Sequence, residues 1–346
     1  MDVPAGLPFP PMEARLVREL PQDDGWQYEP KWDGFRGVLE NLGGELALWS
    51  RNARPLLRYF PELRPLGELL PSRSALDGEI VIERGGRLDF DAMQMRLHPA
   101  ESRIRRLSGE IPAQFVAFDL LVWGGEDVWR LPLEERRARL ERLPFRSSLA
   151  SRDRAVATRW LETLELAGFD GVVAKRLELA YLPGSRDGMV KVKQHRTADC
   201  VVVGARRAEG EERLATLLLG LYDGAGELRY VGSAAIAPSR HDEVASLLAP
   251  LLSGAPDRGF SEPNRWGGGE LEELAVRPEL VVEVRYDKWQ GSRFRHGTRL
   301  LRVRLDKEPA ACTVDEVVPL PGPGDPTVGQ LVRQGTGAGD GAGRAG

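Results

Sequence analysis

Cysteine is nearly absent from this sequence of 346 residues, in which Cys200 and Cys312 stand far apart and each alone. Two isolated cysteines make neither a disulfide framework nor a zinc site. No run of apolar residues is long enough to span a bilayer. The N-terminal sequence MDVPAGLPFPPMEARL lacks the basic start and the apolar core of a signal peptide. We therefore expect a cytoplasmic protein that has no membrane partner.

A large excess of charge of one sign is also missing. The chain carries 48 lysines and arginines against 52 aspartates and glutamates, which gives a formal net charge of −4. This balance argues weakly against a nucleic-acid partner, although a net charge conceals local patches. Arg103, Arg105 and Arg106 form one basic cluster, which we interpret as a solvated face. A second cluster comprises Arg293, Arg295, Arg299, Arg302 and Arg304.

What is present is enough chain for two domains. A hydrophobic content of 42% and a charged content of 29% are typical of a soluble globular protein. Short strands begin at Trp26, and the pairs Gly43-Gly44 and Gly85-Gly86 predict two hairpins. Further apolar strands are predicted over Gln114–Trp123, Gly171–Lys175 and Met189–Lys193. Helices are predicted near Met12–Glu19 and over Leu133–Leu143 and Arg154–Ala167.

The pattern of predicted elements changes after the polar segment His195–Asp199. One helix, Arg240–Leu252, is predicted between the third and fourth of five strands, a pattern that fits a small OB-type barrel. These strands are Cys200–Ala205, Leu214–Tyr222, Leu228–Ser233, Leu280–Tyr286 and Leu300–Asp306. We therefore divide the chain into a first domain at 1–195, a barrel at 196–318 and a Gly/Pro-rich tail at 319–346, which we expect to be disordered. The polar segment is the predicted hinge.

The most informative stretch is Tyr28–Arg36, which reads YEPKWDGFR. A lysine such as Lys31 is normally a solvated cation, and burial or neighbouring cations are what make lysines nucleophilic. Gly34 lets the backbone pass close to a bound group. Arg36 offers a planar fork of donors for sugar hydroxyls or phosphate. Read alone, the same stretch also fits the charged end of a hairpin.

Further polar motifs follow along the chain, and each has an ordinary structural interpretation when taken alone. Asp77 and Glu79 interrupt an apolar strand, where carboxylates are disfavoured. Lys191 and Lys193 lie on one face of a predicted strand, which suits an opposing anion but also an exposed sheet edge. The remaining motifs are Ser50-Arg51-Asn52, Phe118-Asp119, Asp170-Gly-Val-Val-Ala-Lys175 and Arg304-Leu-Asp306-Lys307.

As an ordered set from Trp26 to Lys307, these motifs resemble those of the ATP-dependent DNA ligases. The pattern Lys31-x-Asp33-Gly34-x-Arg36 is shared by DNA ligases, RNA ligases and capping enzymes, and the other motifs narrow the choice. Arg293–His296 and the later Cys312-Thr313 are most similar to compact bacterial ligase C, which is related to the ligase domain of ligase D. The resemblance implies an α+β fold, with a nucleotidyltransferase (adenylation) domain of antiparallel sheets and helices followed by a small OB-fold β-barrel.

The resemblance also implies roles for residues of the first domain. Lys31 would attack the α-phosphate of ATP and become a lysyl–AMP phosphoramidate. Glu29 would select adenine, Phe118 would stack on the base, and Arg36 and Glu79 would hold the ribose. The chain lacks the length and the four-cysteine zinc site of the NAD-dependent ligases, which points to ATP as the co-substrate.

Other residues are assigned to phosphates in the same way. Lys191 and Lys193 would neutralise the α-phosphate, and Arg186 would be another nucleotide-binding arginine. By the same resemblance, Arg51 matches the family's residue that contacts the 5′-phosphate of a nick. In the barrel, Arg304 and Lys307 would act on the β- and γ-phosphates.

Glu79 and Asp170 would hold hydrated Mg²⁺, or Mn²⁺, through oxygen ligands. The motif that contains Asp170 usually begins with glutamate, so this chain departs from the family at a metal-binding position.

We therefore predict a monomeric DNA ligase that seals nicks in duplex DNA during repair, with a Ku-like end-binding protein as a candidate partner. An RNA ligase or a capping-type enzyme is the nearest alternative because it shares the lysine motif. An inactive DNA-end-binding scaffold is the alternative from another class, and the intact Lys31, Glu79, Lys191 and Lys193 argue against it.

Overall fold

The computed structural model describes residues 10–193, 196–208, 213–253, 271–295, 297–318 and 326–335. The chain divides into two compact units, one formed by Met1–Lys193 with Pro321–Gly346 and the other by Gln194–Leu320. Among the described residues, no helix combines the length and apolar character needed to cross a membrane.

The described residues of the first unit form ten strands up to residue 193. They are β1 Arg15–Val17, β2 Trp26–Pro30, β3 Phe35–Leu42, β4 Glu45–Ser50, β5 Ser74–Arg84, β6 Arg87–Leu88, β7 Ala113–Val122, β8 Ser147–Ser148, β9 Val172–Arg176 and β10 Met189–Val192. Its helices are α1 Leu66–Leu69, α2 Phe90–Arg96, α3 Glu101–Glu110, α4 Leu133–Leu140 and α5 Arg154–Thr163.

These strands form two sheets that pack face to face. The larger has the order β8-β7-β5-β3-β4, with β6 beside β5, and the smaller has the order β1-β10-β9-β2. Val81 and Val116 of the larger sheet share one buried cluster with Val172 and Val192 of the smaller sheet. Burial of these apolar faces holds the two sheets together.

Both predicted glycine hairpins are present, and both helices predicted after Pro132 are found. Gly43 and Gly44 have φ of +65° and +103°, values that L-residues with a side chain rarely adopt. The helix predicted near Met12–Glu19 is wrong, because Arg15–Val17 is instead a strand that pairs in parallel with β10. An open sheet edge offers this segment backbone partners that a lone short helix lacks.

Two helices, α2 and α3, were not predicted. The strand after the second glycine hairpin ends at Leu88, because Asp89 caps α2 by accepting a hydrogen bond from the Ala92 amide. The cluster Arg103, Arg105 and Arg106 lies on α3, where it is a solvated face as interpreted.

The described residues of the second unit form eight strands and one α-helix. They are β11 Arg196–Ala208, β12 Leu214–Tyr222, β13 Leu228–Ala235, α6 His241–Leu248, β14 Leu271–Ala275, β15 Val281–Tyr286, β16 Trp289–Gln290, β17 Arg293–Phe294 and β18 Thr298–Val303. Five of the strands close into a ring in the order β11-β12-β13-β18-β15, because β11 pairs with both β12 and β15. The helix lies between the third and fourth ring strands, which confirms the OB-type barrel.

The predicted hinge segment takes part in this barrel. Arg196–Asp199 begins β11 and pairs with Glu283–Tyr286 of β15, while His195 lies outside the described residues. Ala198 is buried, and Thr197 and Asp199 alternate with it on the other face of the strand. The polar character of this segment therefore marks one face of a strand.

Part of the tail is ordered, whereas the sequence predicted disorder over all of 319–346. A last strand, β19 Val332–Arg333, pairs with β8, and Val328 and Leu331 are buried against the first unit. Thr327 and Gln330 form a capping box at the short 3-10 helix Val328–Leu331. These apolar residues supply enough buried surface to order a short segment of a glycine-rich tail. Residues 319–325 and 336–346 lie outside the described part of the chain.

The tail segment is expected to stabilise the first unit. Because Leu331 is only 3% exposed, Leu331→Ala should lower the free energy of unfolding by about 2–5 kcal/mol. Leu42→Ala is the matched control, because Leu42 is a 53% exposed leucine of the same unit. Denaturant unfolding of both variants measures the difference. Similar losses from both would show that the tail contributes nothing specific.

Candidate active site

One cavity of about 530 Å³ lies in the first unit. Its walls come from both sheets, so side chains far apart in sequence face a common space. Seven of the residues predicted from sequence line it, namely Glu29, Lys31, Arg36, Arg51, Glu79, Phe118 and Lys191.

Lys31 lies just beyond the end of β2, opposite the residues that precede β9. The Lys31 amide donates to Gly171 O at 2.8 Å, and the Asp170 amide donates to Lys31 O at 2.9 Å. The ammonium Nζ of Lys31 is 2.5 Å from Asp170 Oδ2, and Lys193 Nζ is 3.1 Å from the same oxygen. The backbone pairing thus fixes the position from which the Lys31 side chain extends.

Positive charge is concentrated around Asp170. Burial alone would raise the pKa of the Asp170 carboxyl, but the ammonium groups of Lys31 and Lys193 outweigh it and hold that pKa below its usual range. Burial and the neighbouring Lys31 and Lys193 lower the pKa of Lys191. Three ammonium groups near one carboxylate favour the binding of an anion such as phosphate.

Gly34 is required by close packing of the chain. A β-carbon at this position would lie 2.1 Å from Ile80 O of the neighbouring strand, so no other residue fits without a shift. The Gly34 amide donates to Glu79 Oε1 at 3.2 Å, which fixes that carboxyl in the cavity wall.

Arg36 is held by a buried acid. Its Nε and Nη2 donate to the two oxygens of Asp77 at 3.0 and 2.6 Å. The Tyr181 hydroxyl donates to Asp77 Oδ2 at 2.6 Å and accepts from the Met12 amide at 2.9 Å. Tyr181 is a positioning residue that sequence reasoning missed, since a lone tyrosine in a loop carries no signal.

Phe118 lies among cations. Lys175 Nζ is 4.7 Å and the Arg36 guanidinium carbon 5.4 Å from the centre of its ring. Lys175 Nζ also forms an ion pair with Glu29 Oε1 at 2.8 Å, and Gln27 donates to the same oxygen at 2.9 Å. Lys175 is a second residue whose role was not predicted, although it closes a quoted motif.

Comparison with known protein families identifies the type of site that these residues form. The sequence profile described as "ATP dependent DNA ligase domain" matches residues 11–193, and that described as "ATP dependent DNA ligase C terminal region" matches residues 210–307. The chain belongs to the ATP-dependent DNA ligases.

Individual relatives agree with the family match. The ligase is 42% identical to DNA ligase C1 of Mycolicibacterium smegmatis over 336 residues, which cover 92% of this chain and 96% of that protein. It is 32% identical to the multifunctional non-homologous end joining DNA repair protein LigD of Mycobacterium tuberculosis, covering 82% of this chain and 37% of that protein. A solved structure of a Lig E DNA ligase, 18% identical, covers 85% of this chain and 100% of that chain with a TM-score of 0.52, which supports the shared fold.

The other five predicted residues are not among those that line the cavity. Two of them, Asp170 and Lys193, contact each other beside Lys31. Arg186 is 69% exposed and pairs with Glu13, which does line the cavity, at 2.9 Å. Arg304 and Lys307 belong to the barrel unit of the ligase, where both contact Asp199.

The partly buried Glu79 carboxyl is expected to give the ligase a pH-dependent stability. Burial raises the pKa of Glu79 to about 8 from a usual value of 4.5, although Lys31 and Arg36 oppose the shift. As the pH rises between these values, the unfolded chain ionises while the folded chain stays protonated, so nucleotide-free protein loses stability.

We expect Glu79→Gln to remove most of this loss, which is on the order of a few kcal/mol. The measurement is denaturant unfolding near pH 5 and near pH 8, without nucleotide or metal. Glu45→Gln, at an exposed hairpin residue, is the control for the change of charge. A pH dependence that persists in Glu79→Gln would show that another group causes it.

Proposed function

We propose that this ligase seals nicks in duplex DNA and that Lys31 is its nucleophile. The observation that carries the proposal is the position of Lys31 Nζ in the wall of a cavity of about 530 Å³, 2.5 Å from Asp170 Oδ2. The lysine must lose a proton before it can attack phosphorus. Asp170 is within hydrogen-bonding distance and can accept that proton.

The first step forms a bond between Lys31 Nζ and the α-phosphorus of ATP and breaks the bond to the leaving pyrophosphate. Phosphoryl transfer needs mainly in-line positioning and neutralisation of charge. Lys191 and Lys193 supply positive charge beside Lys31. Arg186, at the rim, would add another cation if it exchanged Glu13 for a phosphate.

The nucleoside would lie against Phe118. An aromatic face is a platform for adenine, and Glu29 offers a carboxylate to its amino group. Arg36 and Glu79, which pair in register on β3 and β5, would hold the ribose hydroxyls. Asp77 and Tyr181 keep the Arg36 guanidinium in place for this contact.

The site also fits Mg²⁺ or Mn²⁺ that arrives with the nucleotide. Among the described residues no group of three or more His, Cys, Asp or Glu could hold a resident ion. Mg²⁺ commonly binds to one or two carboxylates, to waters and to substrate phosphates, and Glu79 and Asp170 would supply the carboxylates. When bound there, the ion would neutralise phosphate charge.

In the later steps AMP passes to the 5′-phosphate of the nick, and the adjacent 3′-hydroxyl displaces it to join the strand. Arg51 is exposed at the cavity and is our candidate for the 5′-phosphate contact. We further propose that the monomeric enzyme acts in DNA repair with a Ku-like end-binding partner, which the relationship to an end-joining protein supports.

Two alternatives predict different results. An RNA ligase or capping-type enzyme would prefer an RNA nick or GTP. An inactive scaffold would bind DNA ends without forming a covalent nucleotide. Both family profiles are those of DNA ligases, which favours the main proposal.

The test of the proposal is covalent labelling. Wild-type protein incubated with α-labelled ATP and Mg²⁺ should carry label through a denaturing gel. Lys31→Ala should lose it by more than about a hundredfold, and Lys31→Arg should fail too, because a guanidinium does not deprotonate in proteins. Lys288→Ala, in the barrel unit, is the control and should keep its label. Undiminished label in a Lys31 variant would disprove the assignment.

A second test concerns the nick. Arg51→Ala should reduce the binding preference for a 5′-phosphorylated over a 5′-hydroxyl nick by about tenfold, since a charge-assisted contact to phosphate is lost. Arg106→Ala, on the exposed face of α3, should lower only the overall, salt-dependent affinity. Titrations of both nicks at two salt concentrations measure the effect. An equal loss of preference in both variants would show that Arg51 acts only as general surface charge.

A further inference from the structure

Five charged side chains form one cluster in the barrel unit. Arg304 Nη1 donates to both oxygens of Asp199 at 3.0 and 2.9 Å, and Lys307 Nζ is 3.2 Å from Asp199 Oδ2. Asp306 accepts from Arg304 Nε and Nη2, each at 2.9 Å. Glu316 accepts from Lys307 Nζ at 2.9 and 3.1 Å. Asp199 is thus the carboxylate that contacts both cations.

The three carboxylates differ in how firmly they are held. Asp199 lies on strand β11, opposite Glu283 of β15, and its side chain is 14% exposed. Asp306 is 70% exposed in a turn, and Glu316 is 42% exposed in a short 3-10 helix. Exposed carboxylates exchange easily with water or with another anion, because their ion pairs are weak.

The donor atoms of Arg304 are divided between the firmly held Asp199 and the exposed Asp306. Nη1 faces the strand carboxylate, whereas the fork of Nε and Nη2 faces the exposed Asp306 in a bidentate pair. That fork is the geometry with which arginine binds phosphate. The cluster holds two cations and three carboxylates, so a phosphate can bind only if an exposed carboxylate leaves.

We infer that Asp199 is a positioning residue that holds Arg304 and Lys307 for the β- and γ-phosphates of ATP, while Asp306 and Glu316 are exchangeable partners that those phosphates replace. The inference rests on the proposed function, in which Arg304 and Lys307 act on the leaving pyrophosphate. Pyrophosphate leaves only in the first step, so Asp199 serves lysyl–AMP formation and not the closing of an adenylylated nick.

The experiment compares two steps in the same preparation of full-length protein. Lysyl–AMP formation is followed with α-labelled ATP and Mg²⁺, and strand closure with a nick that already carries AMP on its 5′-phosphate. Asp199→Asn should slow the first about ten- to hundredfold and change the second less than about threefold. The ratio of the two rates is independent of the folded fraction. Asp199→Glu, which keeps the charge, should recover part of the first step.

Two further variants sharpen the result. Glu316→Gln should form lysyl–AMP at least as fast as the wild type, because a competitor for Lys307 is removed. Glu283→Gln is a control in the same barrel, because it removes the carboxylate that lies 2.6 Å from Arg302 Nε. It should leave the ratio of the two rates unchanged. In the background Arg304→Ala with Lys307→Ala, Asp199→Asn should cause little further loss, since its partners are gone.

Equal losses of both steps in Asp199→Asn would assign Asp199 to the fold or to DNA and overturn the inference. So would an unchanged first step, or a loss in Glu316→Gln as large as that in Asp199→Asn. Failure of the proposed function is distinct from these outcomes, because wild-type protein would then form no lysyl–AMP. If wild type labels and Arg304→Ala with Lys307→Ala does not, lysyl–AMP formation at the wild-type rate in Asp199→Asn refutes the inference alone.

Discussion

The ion pair of Lys31 and Asp170 is the interaction on which the site depends. Lys31 follows the end of β2 and Asp170 precedes the start of β9, and the backbone hydrogen bonds continue past the strands to fix them. Removal of two charges from water costs free energy that their attraction rarely returns in full. Under the proposed function, the need to hold and deprotonate a nucleophilic lysine explains this pair better than stability does.

Close approach of strands brings the other side chains to this pair. A β-carbon on Gly34 would meet Ile80 O at 2.1 Å, and one on Gly78 would meet Val116 O at 2.6 Å. Glycine at these places allows β3, β5 and β7 to pass close together. Side chains from neighbouring strands, such as Arg36, Glu79 and Phe118, then reach one cavity without long loops.

In the barrel unit, too, carboxylates hold cationic side chains in place. A carboxylate on a strand contacts two cations, and exposed carboxylates on a turn and on a short 3-10 helix complete their ion pairs. The described tail adds a constraint on the chain path, because Val328 and Leu331 pack in the first unit after the barrel has ended. The barrel is thus a segment inserted between two parts of the first unit.

The sequence by itself determined the strands with strong apolar patterns, the two glycine hairpins, the barrel strands and the order of the ligase motifs, because these signals are local. Only the tertiary structure decided that Arg15–Val17 is a strand and that the tail is partly ordered, since each depends on an edge or surface supplied by distant residues. It also decided the contacts of Tyr181, Lys175 and Asp199. These partners lie more than a hundred residues away in sequence, and a hydrogen bond or ion pair across such a distance leaves no pattern along the chain.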